Sequence, residues 1–274
     1  MDGSRQADRP MGDVASTLRD IEKLQKDRRH RDARKSFFVE GVRNFVRVVD
    51  HGFEISLVFY SEKLLTAPLA RKFVRRLRRS GVSTLRVSPE EFRSGSRAHR
   101  ASGVGAIVRQ RWHTLETAGT DRGLCWIVLG KVRSPGNLGT LIRSSEAVGG
   151  AGFILLDRSV DPYDPSVVRA SMGSLFGQRF VRTRPPDLRQ WSRRHRRQII
   201  GASPESRNDF HRFDYPSEAL LFLGEERRGL SLDQRSICDD LVGIPMIGEA
   251  DSLNLGVAGS LLMYELLRRS PRAG

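Results

Sequence analysis

Short, almost uninterrupted apolar runs recur through the second half of the chain and constrain its fold more than any other feature. They read LCWIVLG from Leu124, GFILLD from Gly152, RQIIGAS from Arg197, ALLFLG from Ala219 and LVGIPM from Leu241. Each run has the length of a strand, and a loop follows each of them. Strands that are apolar on both faces are typical of a parallel sheet covered by helices on both sides. The second half is therefore predicted to be an α/β domain with a mostly parallel sheet.

A smaller alternation of helices and strands precedes it. The pattern predicts a helix over residues 40–52, a strand ISLVFY from Ile55, a helix from Leu69 to Arg79 that begins after Pro68, and two further strands, STLRV and GVGAIVRQ. Single strands that alternate with helices indicate a second, small α/β domain.

The length of 274 residues exceeds that of one typical domain, which agrees with two domains. The expected organisation is a basic helical amino-terminal extension over residues 1–35, the small domain over 36–108, a polar linker over 109–121 and the large domain over 122–274.

The charge balance points to nucleic acid. Lys and Arg number 47 against 32 Asp and Glu, a formal net charge of +15. The alternative, an acidic membrane surface, would need an amphipathic anchor or a lipidation signal, and no long apolar run or signal peptide is present. A soluble, cytoplasmic protein that binds RNA and no membrane is expected.

The cysteines and histidines suggest neither a disulfide nor a metal site. Cys125 and Cys238 lie in apolar surroundings and are expected to pack in the core without a disulfide. The six histidines are scattered without metal-ligand spacing, so no metal is predicted.

Two segments concentrate positive charge. The run KDRRHRDARK from Lys26 is expected to be exposed, either as a solvated helix face or as an RNA contact. In the helix from Leu69 to Arg79 no acid is available for pairing, which favours contact with RNA. The predicted RNA-binding residues are Arg71, Lys72, Arg75, Arg76, Arg78 and Arg79, together with Arg169.

The segment SPGNLGTLIRSSEAVGGAGFILLD, from Ser134 to Asp157, is rich in glycine but is not a dinucleotide fingerprint. That fingerprint needs G-x-G-x-x-G between a strand and a helix, with one residue between its first two glycines, whereas two residues separate Gly136 from Gly139. The later cluster, which starts at Gly149, is instead expected to end the helix in the left-handed conformation and lead into the next strand. Without the fingerprint, a dinucleotide-dependent oxidoreductase is disfavoured.

Three loops that follow predicted strands carry the polar residues that could form a functional site. They are SPGNLGTLIR, where a helix is expected to start near Asn137; LFLGEERRGLS; and IPMIGEADSLNLGVAGSLLMYE, where Ser252 is a plausible helix N-cap. In an open α/β sheet, ligands bind at the carboxyl ends of the strands, so the three loops are expected to converge on one site.

In this order, with RASMGSLF between the first and the second, the three loops resemble the SpoU/TrmH branch of the SPOUT RNA methyltransferases. The segment KSFFVEGVRNFVRVVDHG resembles the start of that family's amino-terminal RNA-binding domain, which is similar to ribosomal protein L30e. The resemblance implies an L30e-like domain followed by a SPOUT α/β domain with a carboxyl-terminal trefoil knot. It also implies a homodimer whose catalytic site is completed at the subunit interface.

The resemblance further implies that S-adenosylmethionine binds in the knot loops, through backbone groups at Gly224, Ile244 and Leu253 and beside their neighbours Leu223 and Met246. It assigns the central catalytic role to Arg143. The family's other polar catalytic positions fall on Asn137, Glu226, Ser252 and Asn254, whereas Glu225 does not match and is expected to be structural or to face solvent.

The implied reaction is methylation of a ribose 2′-hydroxyl, a poor nucleophile that must be polarised or deprotonated while the methyl group is held in line. Because arginine stays protonated, positioning and polarising is the preferred role for Arg143, with general base catalysis left open. Ribosomal RNA is the expected substrate, with transfer RNA and an antibiotic-resistance site on ribosomal RNA still open. The alternative is a catalytically inactive RNA-binding or ribosome-assembly protein on the same fold.

The sequence departs from the family pattern at two places. Ser134 precedes Pro135 where the family often has an acidic residue, and Gly256 and Gly259 stand where it usually has Ser or Ala. These departures bear on the fine geometry of the cofactor loop and not on the reaction.

Overall fold

Two separate sheets organise the chain, which divides between Gln110 and Arg111 into two units. The computed structural model describes residues 13–118, 123–157, 160–217 and 219–270. Residues 1–12 of the predicted extension and 119–121 of the predicted linker lie outside the described residues.

Unit 1, which ends at Gln110, is built on a four-stranded mixed sheet in the order β1-β4-β2-β3. Strand β4 is antiparallel to both β1 and β2, and β3 is parallel to β2. Its elements in chain order are α1 (Val14–Lys26), α2 (Arg28–Arg34), β1 (Ser36–Glu40), α3 (Val42–Asp50), β2 (Ile55–Tyr60), α4 (Pro68–Arg79), β3 (Ser83–Arg86), α5 (Pro89–Gly95) and β4 (Val104–Arg109).

Helices α1 and α5 cover one face of this sheet. Ile21 and Leu24 of α1 are fully buried, and the rings of Phe59 and Phe92 stack with their centroids 5.1 Å apart. The predicted helix α4 and the predicted strands β2, β3 and β4 are confirmed, whereas β1 and α5 were not anticipated. The α5 helix carries a capping box between Ser88 and Glu91, a signal that the sequence does contain.

The basic run KDRRHRDARK is exposed or half-buried except at one position, which is buried. Arg31 is only 2% exposed, and its guanidinium donates a hydrogen bond of 2.8 Å to the backbone oxygen of Leu24. The expectation of exposure is therefore wrong for Arg31, because its side chain fixes the junction of α1 and α2.

Unit 2, which starts at Arg111, is built on a six-stranded sheet in the order β10-β8-β9-β5-β6-β7. Its elements are β5 (Trp126–Leu129), α6 (Pro135–Ala147), β6 (Gly152–Leu156), α7 (Pro165–Ala170), β7 (Phe180–Thr183), α8 (Pro185–Arg194), β8 (Ile199–Ala202), β9 (Leu220–Leu223), α9 (Leu232–Ser236), β10 (Asp240–Val242) and α10 (Leu255–Arg269), with short 3-10 turns at Leu115–Thr117 and Ser174–Gly177.

Every neighbouring pair of strands in this sheet is parallel, which confirms the prediction from the apolar runs. All four residues of β5 are fully buried, as are Ile154 of β6 and Phe222 of β9. Cys125, just before β5, is a buried free thiol, in agreement with the expected core packing.

The glycine-rich segment contains α6 and β6. Helix α6 begins at Pro135 after the N-cap Ser134, so the predicted start near Asn137 is two residues late. Helix α6 ends at Ala147, and Gly149 follows with φ +68°, which confirms the predicted left-handed turn into β6.

Helix α10 packs closely on the sheet and on α6. A Cβ atom on Gly259 would lie 2.4 Å from Cδ2 of Leu141 and 2.7 Å from Cδ1 of Leu223, so any other residue would force these side chains to shift. The departure at this position therefore has a packing reason: it brings α10 against both α6 and β9.

Candidate active site

Three loops meet at the carboxyl edge of the parallel sheet in unit 2. They follow β5, β9 and β10 and lead to α6, α9 and α10. From β5 the chain passes to β6 and β7 on one side and then returns with β8 and β9 on the other, so that β5 and β9 are neighbours. A crevice at the carboxyl ends is expected where strand order reverses in this way.

The carboxylate of Glu226, in the β9–α9 loop, joins the first two loops. It accepts hydrogen bonds from the backbone N–H of Arg133 (3.1 Å) and Ser134 (3.0 Å) and from Nδ2 of Asn137 (3.3 Å). The backbone donors lie at the entry to α6, where N–H groups have no partner within the helix. Glu226 thus fixes the start of the helix that carries Arg143.

Burial and hydrogen bonding act in opposite directions on Glu226. Desolvation, the largest influence, raises the pKa of this carboxyl, but the donors from the backbone at Ser134, Glu226 and Arg133 and from the Asn137 side chain together outweigh it. The net pKa lies below the ordinary value for glutamate, so the side chain is ionised at neutral pH.

Asn137 and Asn254 connect this carboxylate to the third loop. Nδ2 of Asn254 donates to Oδ1 of Asn137 at 2.9 Å, while Oδ1 of Asn254 accepts from the backbone N–H of Gly256 at 2.9 Å and of Val257 at 3.3 Å. Glu226, Asn137 and Asn254 therefore form one chain of hydrogen bonds, named the loop relay below.

Asn254 is the N-cap of α10, so the prediction that Ser252 caps this helix is wrong. The physical reason is that the chain becomes helical only at Leu255, and the side chain that can reach the first free N–H groups is then that of Asn254. Ser252 lies instead in the wall of the neighbouring cleft.

An ion pair beside the loop relay links the same two loops. Nε of Arg133 lies 2.5 Å from Oε1 of Glu225, whose side chain is 14% exposed. Glu225 thus has a structural partner, one of the two roles expected for it.

A cleft of about 220 Å³ opens at the ends of β8, β9 and β10. Its walls contain all five residues predicted to contact the cofactor: Leu223, Gly224, Ile244, Met246 and Leu253. Ser203 and Pro204, which follow β8, line the cleft as well and were not predicted. Their position directly after a buried strand is the sequence signal that could have identified them as cleft residues.

Arg143 lies outside this cleft. It is exposed on α6, in a groove that it shares with Thr140, Ser174 and Tyr264, and it makes no hydrogen bond or ion pair with any residue that the structure describes. The structure thus joins three of the five predicted catalytic residues in the loop relay, places Ser252 in the cleft and leaves Arg143 apart.

In unit 1, the predicted RNA-binding residues of α4 differ in their surroundings. Arg71 donates from Nε to the backbone oxygen of Leu65 (2.5 Å) and from Nη2 to that of Glu62 (3.2 Å), so it holds the β2–α4 loop. The Arg76 guanidinium lies 4.8 Å above the Phe73 ring. The side chains of the other four predicted α4 residues make no hydrogen bond or ion pair with any described residue: Lys72, Arg75, Arg78 and Arg79.

Two kinds of site have no counterpart in the described ranges. No set of three or more His, Cys, Asp or Glu side chains within them is arranged to hold a metal ion. None of the helices in those ranges combines the length and the apolar character that crossing a membrane requires.

Comparison with known proteins agrees with this geometry. The sequence model of the SpoU rRNA Methylase family matches residues 125–264, which contain all three loops. The chain belongs to the SpoU rRNA methylase family. Residues 15–106 match the MRM3-like substrate binding domain, so unit 1 corresponds to a domain that binds substrate in relatives.

Relatives in the SpoU family resemble the chain over nearly its whole length. The 23S rRNA (uridine(2479)-2′-O)-methyltransferase of Streptomyces viridochromogenes is 30% identical over 250 residues, which cover 89% of this chain and 86% of that protein. The solved SpoU methyltransferase from the same organism, in complex with AdoMet, is 30% identical, with a TM-score of 0.85 and coverage of 93% of this chain and 97% of that one.

A second solved structure shares the fold. The AdoMet-bound rRNA methyltransferase of Sinorhizobium meliloti is 30% identical with a TM-score of 0.84, and the match covers 92% of this chain and 94% of that one. The SpoU fold, with an amino-terminal substrate-binding domain, is thereby confirmed for this chain.

Proposed function

We propose that the chain is an S-adenosylmethionine-dependent methyltransferase that methylates a ribose 2′-hydroxyl of ribosomal RNA. The loop relay of Glu226, Asn137 and Asn254 carries this proposal, because it couples the start of α6 to the start of α10 beside the cleft. The names of the relatives, which include a 23S rRNA 2′-O-methyltransferase and AdoMet-bound structures, support the substrate and the cofactor.

The cleft fits a cofactor with an apolar body and several polar groups. Leu223, Ile244 and Met246 supply apolar walls, and the backbone at Gly224 and Leu253 offers hydrogen-bonding groups at the cleft surface. When bound, S-adenosylmethionine supplies an electrophilic methyl group. Ser252, which lines the same cleft, is proposed to contact the bound molecules through its hydroxyl.

Glu226 is assigned a positioning role. Its carboxylate already accepts three N–H donors, and its pKa is lowered, so it is a weak base at neutral pH. Asn137 and Asn254 are likewise occupied with each other. Together these side chains hold the loops in place. A residue without such hydrogen bonds must then orient and polarise the 2′-hydroxyl.

Arg143 is proposed to be that residue. It is exposed and has no side-chain partner among the described residues, so its guanidinium is available to an RNA phosphate and a 2′-hydroxyl. Since arginine stays protonated, it orients and polarises the hydroxyl instead of removing its proton.

Unit 1 is proposed to hold the RNA through α4. The partner-free side chains of Lys72, Arg75, Arg78 and Arg79 are suited to phosphates. Arg71 and Arg76 are proposed to contribute less to RNA binding, since the Arg71 guanidinium binds the backbone of Leu65 and the Arg76 guanidinium lies over the Phe73 ring. In unit 2, the exposed Arg169 on α7 is proposed as a further contact.

A homodimer is proposed as the active form. Val257, Leu261 and Tyr264 form an apolar stripe on α10 and are 47%, 41% and 52% exposed. The groove of Arg143 adjoins this stripe at Tyr264, and Arg143 does not line the cofactor cleft of its own chain. A second copy seated on the stripe would cover it and bring each Arg143 towards the partner.

The dimer is tested by the molar mass in solution. Wild-type protein is expected to have twice the monomer mass in light scattering, and Leu261→Glu is expected to be monomeric and inactive with an unchanged circular dichroism spectrum. A monomeric wild-type protein that methylates RNA would contradict the proposal.

The reaction is tested by incubating the protein with methyl-labelled cofactor and separated RNA pools. Label is expected in ribosomal RNA, on a ribose 2′-oxygen that then resists alkaline cleavage. Label in transfer RNA alone would contradict ribosomal RNA as the substrate and identify transfer RNA instead. A lack of transfer to any RNA would favour the inactive RNA-binding alternative.

A further inference from the structure

The turn between β9 and α9 presents two arginines at the rim of the cofactor cleft. Its backbone is closed by a pair of hydrogen bonds of 2.9 Å each, from Glu225 N–H to Gly229 oxygen and from Gly229 N–H to Glu225 oxygen. Arg227 and Arg228 form the tip of this closed turn and are exposed. The closed turn therefore fixes the backbone from which the two side chains extend beside the cleft.

The acidic residues of the turn do not neutralise these arginines. Glu225 pairs with Arg133, and Glu226 accepts the N–H groups at the start of α6. Arg227 and Arg228 line the cleft and form no hydrogen bond or ion pair within the described part of the chain. Two positive charges are thus left for an external ligand.

The β10–α10 loop, which also lines the cleft, carries charge of the other sign. Asp251 lines the cleft from this loop, and Glu249 is exposed in the same loop. An anionic ligand is repelled from this loop and attracted to the tip of the turn.

We propose that Arg227 and Arg228 bind backbone phosphates of the substrate RNA and so place the target ribose at the mouth of the cleft. The proposal rests on the proposed methyltransferase function and adds a substrate-binding site within unit 2. A guanidinium fork matches a phosphate in bidentate geometry, and such contacts fix register and orientation without reading sequence. The carboxylate of the cofactor's methionine would be a second anion in this cleft, and the experiment separates the two sources.

The test compares Arg227→Gln/Arg228→Gln with a control of equal charge loss, Arg193→Gln/Arg194→Gln. Arg193 and Arg194 end α8, next to the amino end of β8 and so at the opposite edge of the sheet. Both are exposed and, among the described residues, have no side-chain partner. The readouts are RNA affinity by fluorescence anisotropy at several salt concentrations, S-adenosylhomocysteine affinity by calorimetry, and KM and kcat for RNA.

For the tip variant we expect RNA affinity to fall at least about 10-fold and the salt slope of binding to decrease by about 1.5, the value for two lost phosphate contacts. KM for RNA should rise, and the affinity for S-adenosylhomocysteine should stay within about twofold. The control should keep RNA affinity near the wild-type value. Arg227→Lys/Arg228→Lys should recover part of the loss, since lysine keeps the charge and loses the fork.

Unchanged RNA affinity in the tip variant would overturn the proposal, and so would an equal loss in the control. A loss confined to S-adenosylhomocysteine affinity would assign the arginines to the cofactor and overturn it as well. A wild-type protein that binds RNA without methylating it would instead contradict the proposed function, while the affinity comparison would still decide the role of the tip.

Discussion

Two buried or half-buried carboxylates fix the two ends of α10, and they are held by different chemistry. At the start of the helix, Glu226 accepts from backbone N–H groups and from Asn137, which in turn binds the N-cap Asn254. Near its end, Glu265 is only 3% exposed and contacts Nη2 of Arg268 at 2.7 Å and Nε of Arg269 at 2.6 Å. Neutral donors hold the first carboxylate, and cations hold the second.

The second carboxylate also joins α10 to a preceding loop. Nδ1 of His211 lies 2.9 Å from Oε2 of Glu265, and Arg269 also donates to the backbone oxygen of His211. The side-chain hydrogen bond from Arg268 is the largest influence on the pKa of Glu265, and with Arg269 and His211 it lowers that pKa to about 2 against the cost of burial.

The difference in partners indicates that Glu265 stabilises the fold, whereas Glu226 positions the loops of the site. At Glu265 the carboxylate is neutralised by its own neighbours, so its bonds serve the stability of the fold. At Glu226 no cation of the described residues pairs with the negative charge, while its hydrogen bonds set the position of the loops around the cleft. Substitution at the two residues should therefore affect different measurements.

The largest effect on stability is expected for Glu265→Gln. The neutral amide keeps one acceptor oxygen but turns an NH2 donor towards Nε of Arg268 and Nδ1 of His211. It also removes the negative charge that pairs with two guanidinium groups, so the free energy of unfolding should fall by about 2–3 kcal/mol. Chemical denaturation at neutral pH measures this change, and cofactor affinity of the folded fraction should stay near the wild-type value.

The pH dependence of the free energy of unfolding also tests the role of Glu265. Because folding lowers the pKa of Glu265 to about 2, its contribution to stability is fully present above about pH 4.5 and is lost as the pH falls through about 2. The wild-type and Glu265→Gln proteins should therefore approach each other in stability as the pH falls below 4.5 and converge below about pH 2. A constant difference across this range would show that ionisation of Glu265 does not stabilise the fold.

A smaller effect on stability, with a large effect on activity, is expected for Glu226→Gln. One amide oxygen still accepts part of the hydrogen bonds, so the free energy of unfolding should fall by only about 1 kcal/mol. The amide nitrogen faces N–H donors, which displaces the loops, and a misplacement of this kind should lower kcat by about 100-fold.

Glu225→Gln is the matched control for this substitution, because it removes the same charge one residue earlier and leaves the loop relay intact. It should reduce kcat far less than Glu226→Gln. Equal losses in the two variants would show that charge near the cleft, and not the loop relay, determines the rate.

Much of this arrangement could be predicted from sequence because it depends on short-range patterns. The apolar runs determine a parallel sheet, and parallel strands place the loops that follow them at one edge. The resemblance to the SpoU family then selected the five cleft residues and the three members of the loop relay, which the structure brings together within unit 2.

Other features depend on contacts between distant segments that no local pattern encodes. The pairing of Arg133 with Glu225 and the burial of Arg31 arise only when separate elements meet. The shift of the helix cap from Ser252 to Asn254 depends on where the preceding loop ends. The trefoil knot and the homodimer remain predictions from the family resemblance.

Transfer of labelled methyl to ribosomal RNA by wild-type protein and by Arg143→Ala measures whether Arg143 acts on the 2′-hydroxyl. Arg143 has no side-chain partner among the described residues and is free to contact RNA, so the substitution should lower kcat at least about 100-fold, while calorimetry shows unchanged S-adenosylhomocysteine affinity. Ribose methylation by Arg143→Ala at the wild-type rate would contradict the account.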